Sequence, residues 1–292
     1  MTLFADFRSK DKRGVVVPVK FCESTAADPD ARKPVEARTM RQQAAGKRVL
    51  FMCHGFNVNR EDGIASAAAM EADLQSAAAP FPISPSTTLF VGVLWPGDWY
   101  TVLNYPVEAF DALTTGGYLA TAIQETFDLA ASISFVSHSL GARVVLSAAG
   151  TKGVPRARQI ILTAPAADND TLAREHAAAY DNADAIYVLS SKRDRTLKYL
   201  YPAGDAISDV LGDDDSPFGG ALGYRGPKPA VIEHVTPFGI PGKPYNQKNK
   251  PSLASDYDHC DYFPWPSKRT PKSDTVSHYV SAAFADQGTL WP

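Results

Sequence analysis

The sequence predicts an α/β protein built on a doubly wound, mostly parallel sheet with helices on both faces. Two observations carry this reading. Short apolar, β-branched runs recur along the 292 residues, separated mostly by helix-length, Ala-rich stretches. The centres of these runs are continuously apolar rather than alternating, as in strands covered on both faces. Right-handed crossovers would then line the strand C-termini along one edge, where ligands bind.

The strands are expected at Val15–Phe21, Arg48–Cys53, Thr88–Trp95, Ser132–Ser137, Gln159–Ala164, Ala185–Ser190 and Ala230–Val235. The helices are expected at Arg60–Ala79, Pro106–Leu129, Ser139–Gly150 and Asp170–Asn182, with a break at Gly116-Gly117. Residues 22–46 are polar and punctuated by Asp28-Pro29-Asp30 and Lys33-Pro34, so they read as a loop. Residues 1–47 are therefore an N-terminal strand and polar loop of the same domain as residues 48–292. Residues 201–270 are rich in Pro and Gly and read as a cap or long functional loop.

Composition excludes several classes. The net charge is −3 and the charged fraction is 21%, so there is no dense basic stripe for nucleic acid. No stretch approaches 18 consecutive apolar residues, so no membrane span is expected. The first residues lack an apolar signal core. Cys22, Cys53 and Cys260 are an odd, widely spaced set without CxxC, which fits a reducing, cytoplasmic setting. Asp256, Asp258, His259 and Asp261 have metal-like spacing but no second matching cluster, and no metal or cofactor is expected. Oligomeric state is not readable.

Chemistry concentrates where Ser132–Ser137 runs through His138-Ser139-Leu140-Gly141 into a helical stretch. A serine at a tight strand-to-helix corner is a nucleophile elbow. Small residues must flank it at two positions on either side, or strand and helix collide. Gly141 satisfies this fully; Ser137 stands where glycine is commonest. Acyl transfer also needs a base, a carboxylate to orient it and N–H donors for the oxyanion. In the elbow fold these follow in the order Ser, acid, His. His278, after the last expected strand, is the expected base and His259 the rival. His234 falls within an expected strand, and His176 reads as a solvated face of a helix. Asp194, after Ala185–Ser190, is the expected acid, with Asp168 and Asp170 as alternatives. The Leu140 N–H and, from the His54-Gly55-Phe56-Asn57 turn, the Phe56 N–H are the expected oxyanion donors, ahead of Asn57. His54 reads as bonded within that turn. Trp95 is a candidate wall of the substrate pocket.

The turn His54–Asn57, the elbow His138–Gly141, the Ser191–Leu197 loop and the late His278 together resemble the α/β-hydrolase fold family. More narrowly, they are similar to a bacterial branch of uncharacterised serine hydrolases. The resemblance covers roughly residues 48–285. Ser137 in place of glycine and Ala142 in place of a frequent asparagine are its departures. It implies a serine hydrolase with Ser139, Asp194 and His278 as triad, acting on small-molecule carboxylic esters or thioesters through an acyl-enzyme. An amidase or peptidase, or a non-catalytic binding protein, are the alternatives on the same fold.

Overall fold

Thr88–Leu94 and Thr2–Arg8 are buried at every residue, and they pair side by side. They belong to one sheet in a computed structural model that describes residues 2–25, 28–76, 78–98, 105–199, 220–227, 245–248, 257–264 and 271–286. Its strands are β1 (Thr2–Arg8), β2 (Val16–Thr25), β3 (Asp28–Pro34), β4 (Arg48–Cys53), β5 (Thr88–Leu94), β6 (Ser132–His138), β7 (Ala157–Thr163), β8 (Ala183–Leu189) and β9 (Tyr245–Lys248). Their order is β3-β2-β1-β5-β4-β6-β7-β8-β9. Only the β1–β2 and β2–β3 pairs are antiparallel. The expected doubly wound, mostly parallel sheet is thus the fold. The strand expected at Ala230–Val235 lies outside the described residues, as does most of 201–270.

The helices are α1 (Ala37–Ala44), α2 (Arg60–Gln75), α3 (Tyr105–Thr126), α4 (Gly141–Gly150), α5 (Ala177–Asp181), α6 (Arg195–Tyr199), α7 (Leu222–Arg225) and α8 (Pro271–Phe284). The connection β4-α2-β5 steps one way across the sheet, whereas β5-α3-β6 and β6-α4-β7 step the other way. Right-handed crossovers therefore put α2 on one face and α3 and α4 on the opposite one. The contacts agree: α2 packs on α8, while α3 packs on α4 and α4 on α5. The reversal leaves a crevice beyond the C-terminal ends of β4 and β6, the place where such sheets bind ligands.

The N-terminal region departs from expectation. Residues 22–46 hold the end of β2, all of β3 and α1 rather than a loop. β1 was hidden by its charges, Asp6 and Arg8, which are buried in pairs: Arg60 reaches Asp6 at 2.9 Å and Arg8 reaches Asp98 at 2.6 Å. Neither does Gly116-Gly117 break a helix, since α3 runs straight through it. A Cβ at Gly116 would lie 2.5 Å from Ser147 Cβ and 2.8 Å from the Val144 carbonyl, so this glycine lets α3 approach α4 closely. Among the described residues no helix is long and apolar enough to cross a membrane.

Candidate active site

Parallel pairing of β4 with β6 sets Cys53 level with Ser137, so the two following turns leave the sheet side by side. In the second turn Ser139 has φ +52°, a left-handed conformation that costs a non-glycine residue about 1–2 kcal/mol. The corner is held by its own backbone. The Ser139 N–H donates to the Thr163 carbonyl at 3.0 Å, and the Ser139 carbonyl accepts from Ala142 at 3.0 Å and Ala166 at 3.1 Å. Gly141 is required, because a Cβ there would run into the His54 carbonyl, with the Cys53 carbonyl at 3.0 Å. Ser137, the other flanking residue, is fully buried, and its hydroxyl finds no partner among the described residues.

His259 completes a hydrogen-bonded chain with Ser139. Its Nε2 stands 2.8 Å from Ser139 Oγ and its Nδ1 stands 2.7 Å from Asp194 Oδ2. Asp194 is fully buried, and its other carboxylate oxygen accepts the Leu197 N–H at 2.8 Å. It is therefore no solvated loop charge. A buried carboxylate on Nδ1 keeps that proton in place and leaves Nε2 free to take the serine proton.

The backbone of His259 is equally constrained. Asp258 and Asp261 form a reciprocal cap on the short 3₁₀ turn His259–Tyr262, so these two carboxylates are used in folding the base loop. From the elbow, His138 Nε2 donates to the His259 carbonyl at 2.9 Å, with the two rings 4.8 Å apart. Burial holds the His138 imidazole well below its ordinary pKa, and it is neutral.

The expected base, His278, is not at this site. It lies within α8, where its carbonyl accepts from Ser281 Oγ and its neighbour Ser277 bonds Asp73 of α2. The physical reason is helical: Val276, Val280, Ala283 and Phe284 are buried at helix spacing, so α8 begins before His278 rather than after it. That periodicity was legible, and so was the Asp258–Asp261 capping signature beside His259. Among the other candidates, Asp168 faces Arg143 at 3.8 Å. His176 is buried beside Glu175 rather than solvated, and burial pushes its pKa down to about 4. His234 and Asp256 lie outside the described residues.

The first turn faces the serine. A Cβ on Gly55 would lie 2.9 Å from Ser139 Cβ and 2.9 Å from His138 Nδ1. The Asn57 N–H is taken by the Gly97 carbonyl, whereas the N–H groups of Phe56 and Leu140 have no backbone partner among the described residues. His54 Nδ1 donates to the Gly55 carbonyl at 2.9 Å and its Nε2 accepts the Trp95 N–H at 3.3 Å. This ring is neutral, with burial pushing its pKa down to about 3. Trp95, a candidate pocket wall, is fully buried; its indole stacks on His54 and donates to the His54 carbonyl at 2.8 Å. Beneath it Arg8, also fully buried, donates to the Val58 carbonyl at 2.9 Å and the Trp95 carbonyl at 2.8 Å.

A hollow of about 710 Å³ between β2, β3 and α3 includes none of Ser139, His259 and Asp194. At Ser139, by contrast, a hydroxyl on a left-handed backbone, an imidazole and a buried carboxylate meet.

Sheet order, elbow and crevice together define an α/β-hydrolase. The chain belongs to one family of that fold, the α/β-hydrolases of unknown function called DUF900, which matches residues 30–207. That span contains Ser139 and Asp194 but stops short of His259. Comparison with curated proteins finds no match. Among solved structures, an inhibited esterase B from Lactobacillus rhamnosis is 11% identical, with a TM-score of 0.43 over 98% of this chain and 87% of that one. The LpqC poly(3-hydroxybutyrate) depolymerase from Bordetella parapertussis is 12% identical, with a TM-score of 0.44 over 82% and 80%. An esterase from Thermogutta terrifontis is 10% identical, with a TM-score of 0.35 over 86% and 87%. Likeness this distant says nothing of substrate.

Proposed function

We propose that the chain is a serine hydrolase that cleaves carboxylic esters or thioesters through an acyl-enzyme. Ser139 is the nucleophile, His259 the general base and then acid, and Asp194 the carboxylate that orients it. The observation carrying this reading is the unbroken hydrogen-bonded chain, 2.8 Å from Ser139 to His259 and 2.7 Å from His259 to Asp194, ending on a serine at φ +52°.

The Ser139 oxygen attacks the carbonyl carbon as its proton passes to His259 Nε2. The N–H groups of Leu140 and Phe56 hold the resulting oxyanion; one such donor is worth about 10²–10³ in rate. His259 then gives the proton to the departing alcohol or thiol, leaving Ser139 acylated. Water, deprotonated by the same imidazole, releases the acid. Asp194 accepts from His259 Nδ1 and stabilises the imidazolium.

Fluorophosphonate labelling read by intact mass and peptide mapping tests the reading. A single adduct on Ser139, lost in Ser139→Ala and slowed at least 10²-fold in His259→Gln, is the expected result. A well-folded wild type that takes no adduct would count against any hydrolase activity. A subsequent panel of matched esters, thioesters and amides separates esterase from amidase.

A further inference from the structure

The loop that carries Asp194 presents an unusual concentration of positive charge. Lys192, Arg193, Arg195 and Lys198, with Tyr199 and Asp258, line a hollow of about 480 Å³. Asp194 points inward to His259 and is fully buried, while the four flanking cations stand exposed around it. The hollow lies past the C-terminal end of β8, on the same sheet edge as Ser139. Asp258, the carboxylate among the lining residues, bridges it to the base: its Oδ1 accepts both the His259 and the Arg195 backbone N–H groups.

This cluster is not the background of the molecule. The chain as a whole carries a net charge of −3. Elsewhere, three exposed arginines are matched to carboxylates across elements, in Arg41–Asp128, Arg156–Asp184 and Arg158–Asp286. Among the described residues, Lys192, Arg195 and Lys198 have no carboxylate within ion-pair distance; Lys198 lies over the Tyr199 ring at 4.9 Å. Clustered cations in a concavity repel one another and attract an anion.

Resting on the hydrolase reading, we infer that this hollow binds an anionic group of the substrate, a carboxylate or a phosphate remote from the scissile bond. The substrate class is thereby narrowed to negatively charged esters or thioesters. The anion can reside in the acyl half or the alcohol half, and the test has an arm for each. In the acyl arm, mono-4-nitrophenyl adipate is compared with 4-nitrophenyl hexanoate. In the alcohol arm, the butyrate esters of 4-hydroxybenzoate and of its amide are compared.

A ring of exposed contacts predicts roughly a 10–100-fold preference in kcat/KM for the anionic member of one arm, expressed in KM. The ratio should fall towards 1 in Lys192→Gln/Arg195→Gln/Lys198→Gln and shrink in 0.5 M NaCl. Lys198→Gln alone, with the salt titration, keeps the test sharp if the triple variant folds poorly. Ser139-dependent turnover with no preference in either arm overturns the inference and leaves the hydrolase reading standing. So does a preference that survives both the substitutions and salt, which assigns selectivity elsewhere. Absence of turnover together with absence of Ser139 labelling overturns both readings.

Discussion

Replacing Gly55 with alanine should cost about 10²-fold in kcat while leaving the protein folded. Gly55 is not in the left-handed region, so the new side chain brings no backbone penalty. What it brings is a collision. The added Cβ would stand 2.9 Å from Ser139 Cβ, 2.9 Å from His138 Nδ1 and 3.0 Å from the His138 carbonyl. Ordinary carbon contacts are about 3.5–4.0 Å. The two turns must therefore separate by roughly 0.6–1.1 Å, and neither partner is the loose end of a flexible side chain. A displacement of about 1 Å in a reacting geometry costs on the order of 10² in rate. Overpacking of this kind costs about 1–3 kcal/mol, within the roughly 5–15 kcal/mol that holds a domain together. The assay is kcat and KM on 4-nitrophenyl butyrate, with labelling rate by fluorophosphonate and thermal melting as the fold control. Activity within threefold of wild type would refute the reasoning, because it would mean that the Gly55–Phe56 turn does not set the oxyanion site.

Three further outcomes follow from the same geometry. His259→Gln should lower kcat/KM at least 10²–10⁴-fold, whereas His278→Gln should stay within threefold; the reverse result returns the base to α8. Gly117→Ala meets nothing within 4 Å and should raise stability by about 0.5–1 kcal/mol, whereas Gly116→Ala should lower it by about 1–3 kcal/mol, both read by urea melts. Stability should also fall as pH drops below about 6.5, because unfolded imidazoles take protons that buried His54, pushed down to about 3, and His176, pushed down to about 4, refuse. By pH 5 that amounts to about 2 kcal/mol for each ring, against roughly 1 kcal/mol returned by Asp111, whose carboxyl burial pushes up to about 6. A melting temperature at pH 5 equal to or above that at pH 7.5 would contradict it.

The sheet was legible because its central strands, such as Leu50-Phe51-Met52-Cys53, are apolar on both faces and so need no context to be recognised. β1 was not, since Asp6 and Arg8 look like surface charges until Arg60 and Asp98 are known to lie opposite them. Those partners are 54 and 90 residues away, and pairing at that range leaves no local trace. Ser139 and Gly141 were legible for the opposite reason, because a strained corner restricts its own neighbours. Asp194 could be placed by counting strands. His259 was legible only as the rival to His278, because it lies on a short 3₁₀ turn that strand counting does not locate.

The histidines of the two motif turns illustrate how burial divides labour at this site. Both His54 and His138 border the Ser139 turn, and residue type alone offers either as a base. Yet each is fully desolvated and neutral, and each commits a ring N–H to a backbone carbonyl, of Gly55 and of His259 respectively. Burial disfavours the charged form of either ring, whereas His259 Nδ1 faces the buried Asp194 carboxylate at 2.7 Å. His54, stacked on Trp95 and bonded to the Gly55 carbonyl, braces the turn that carries the Phe56 N–H. His138 holds the turn that carries His259. Of these three rings, His259 alone combines a buried carboxylate on one nitrogen with the serine hydroxyl on the other, and on the proposed reading that asymmetry, rather than proximity to Ser139, equips it to take a proton and give it back.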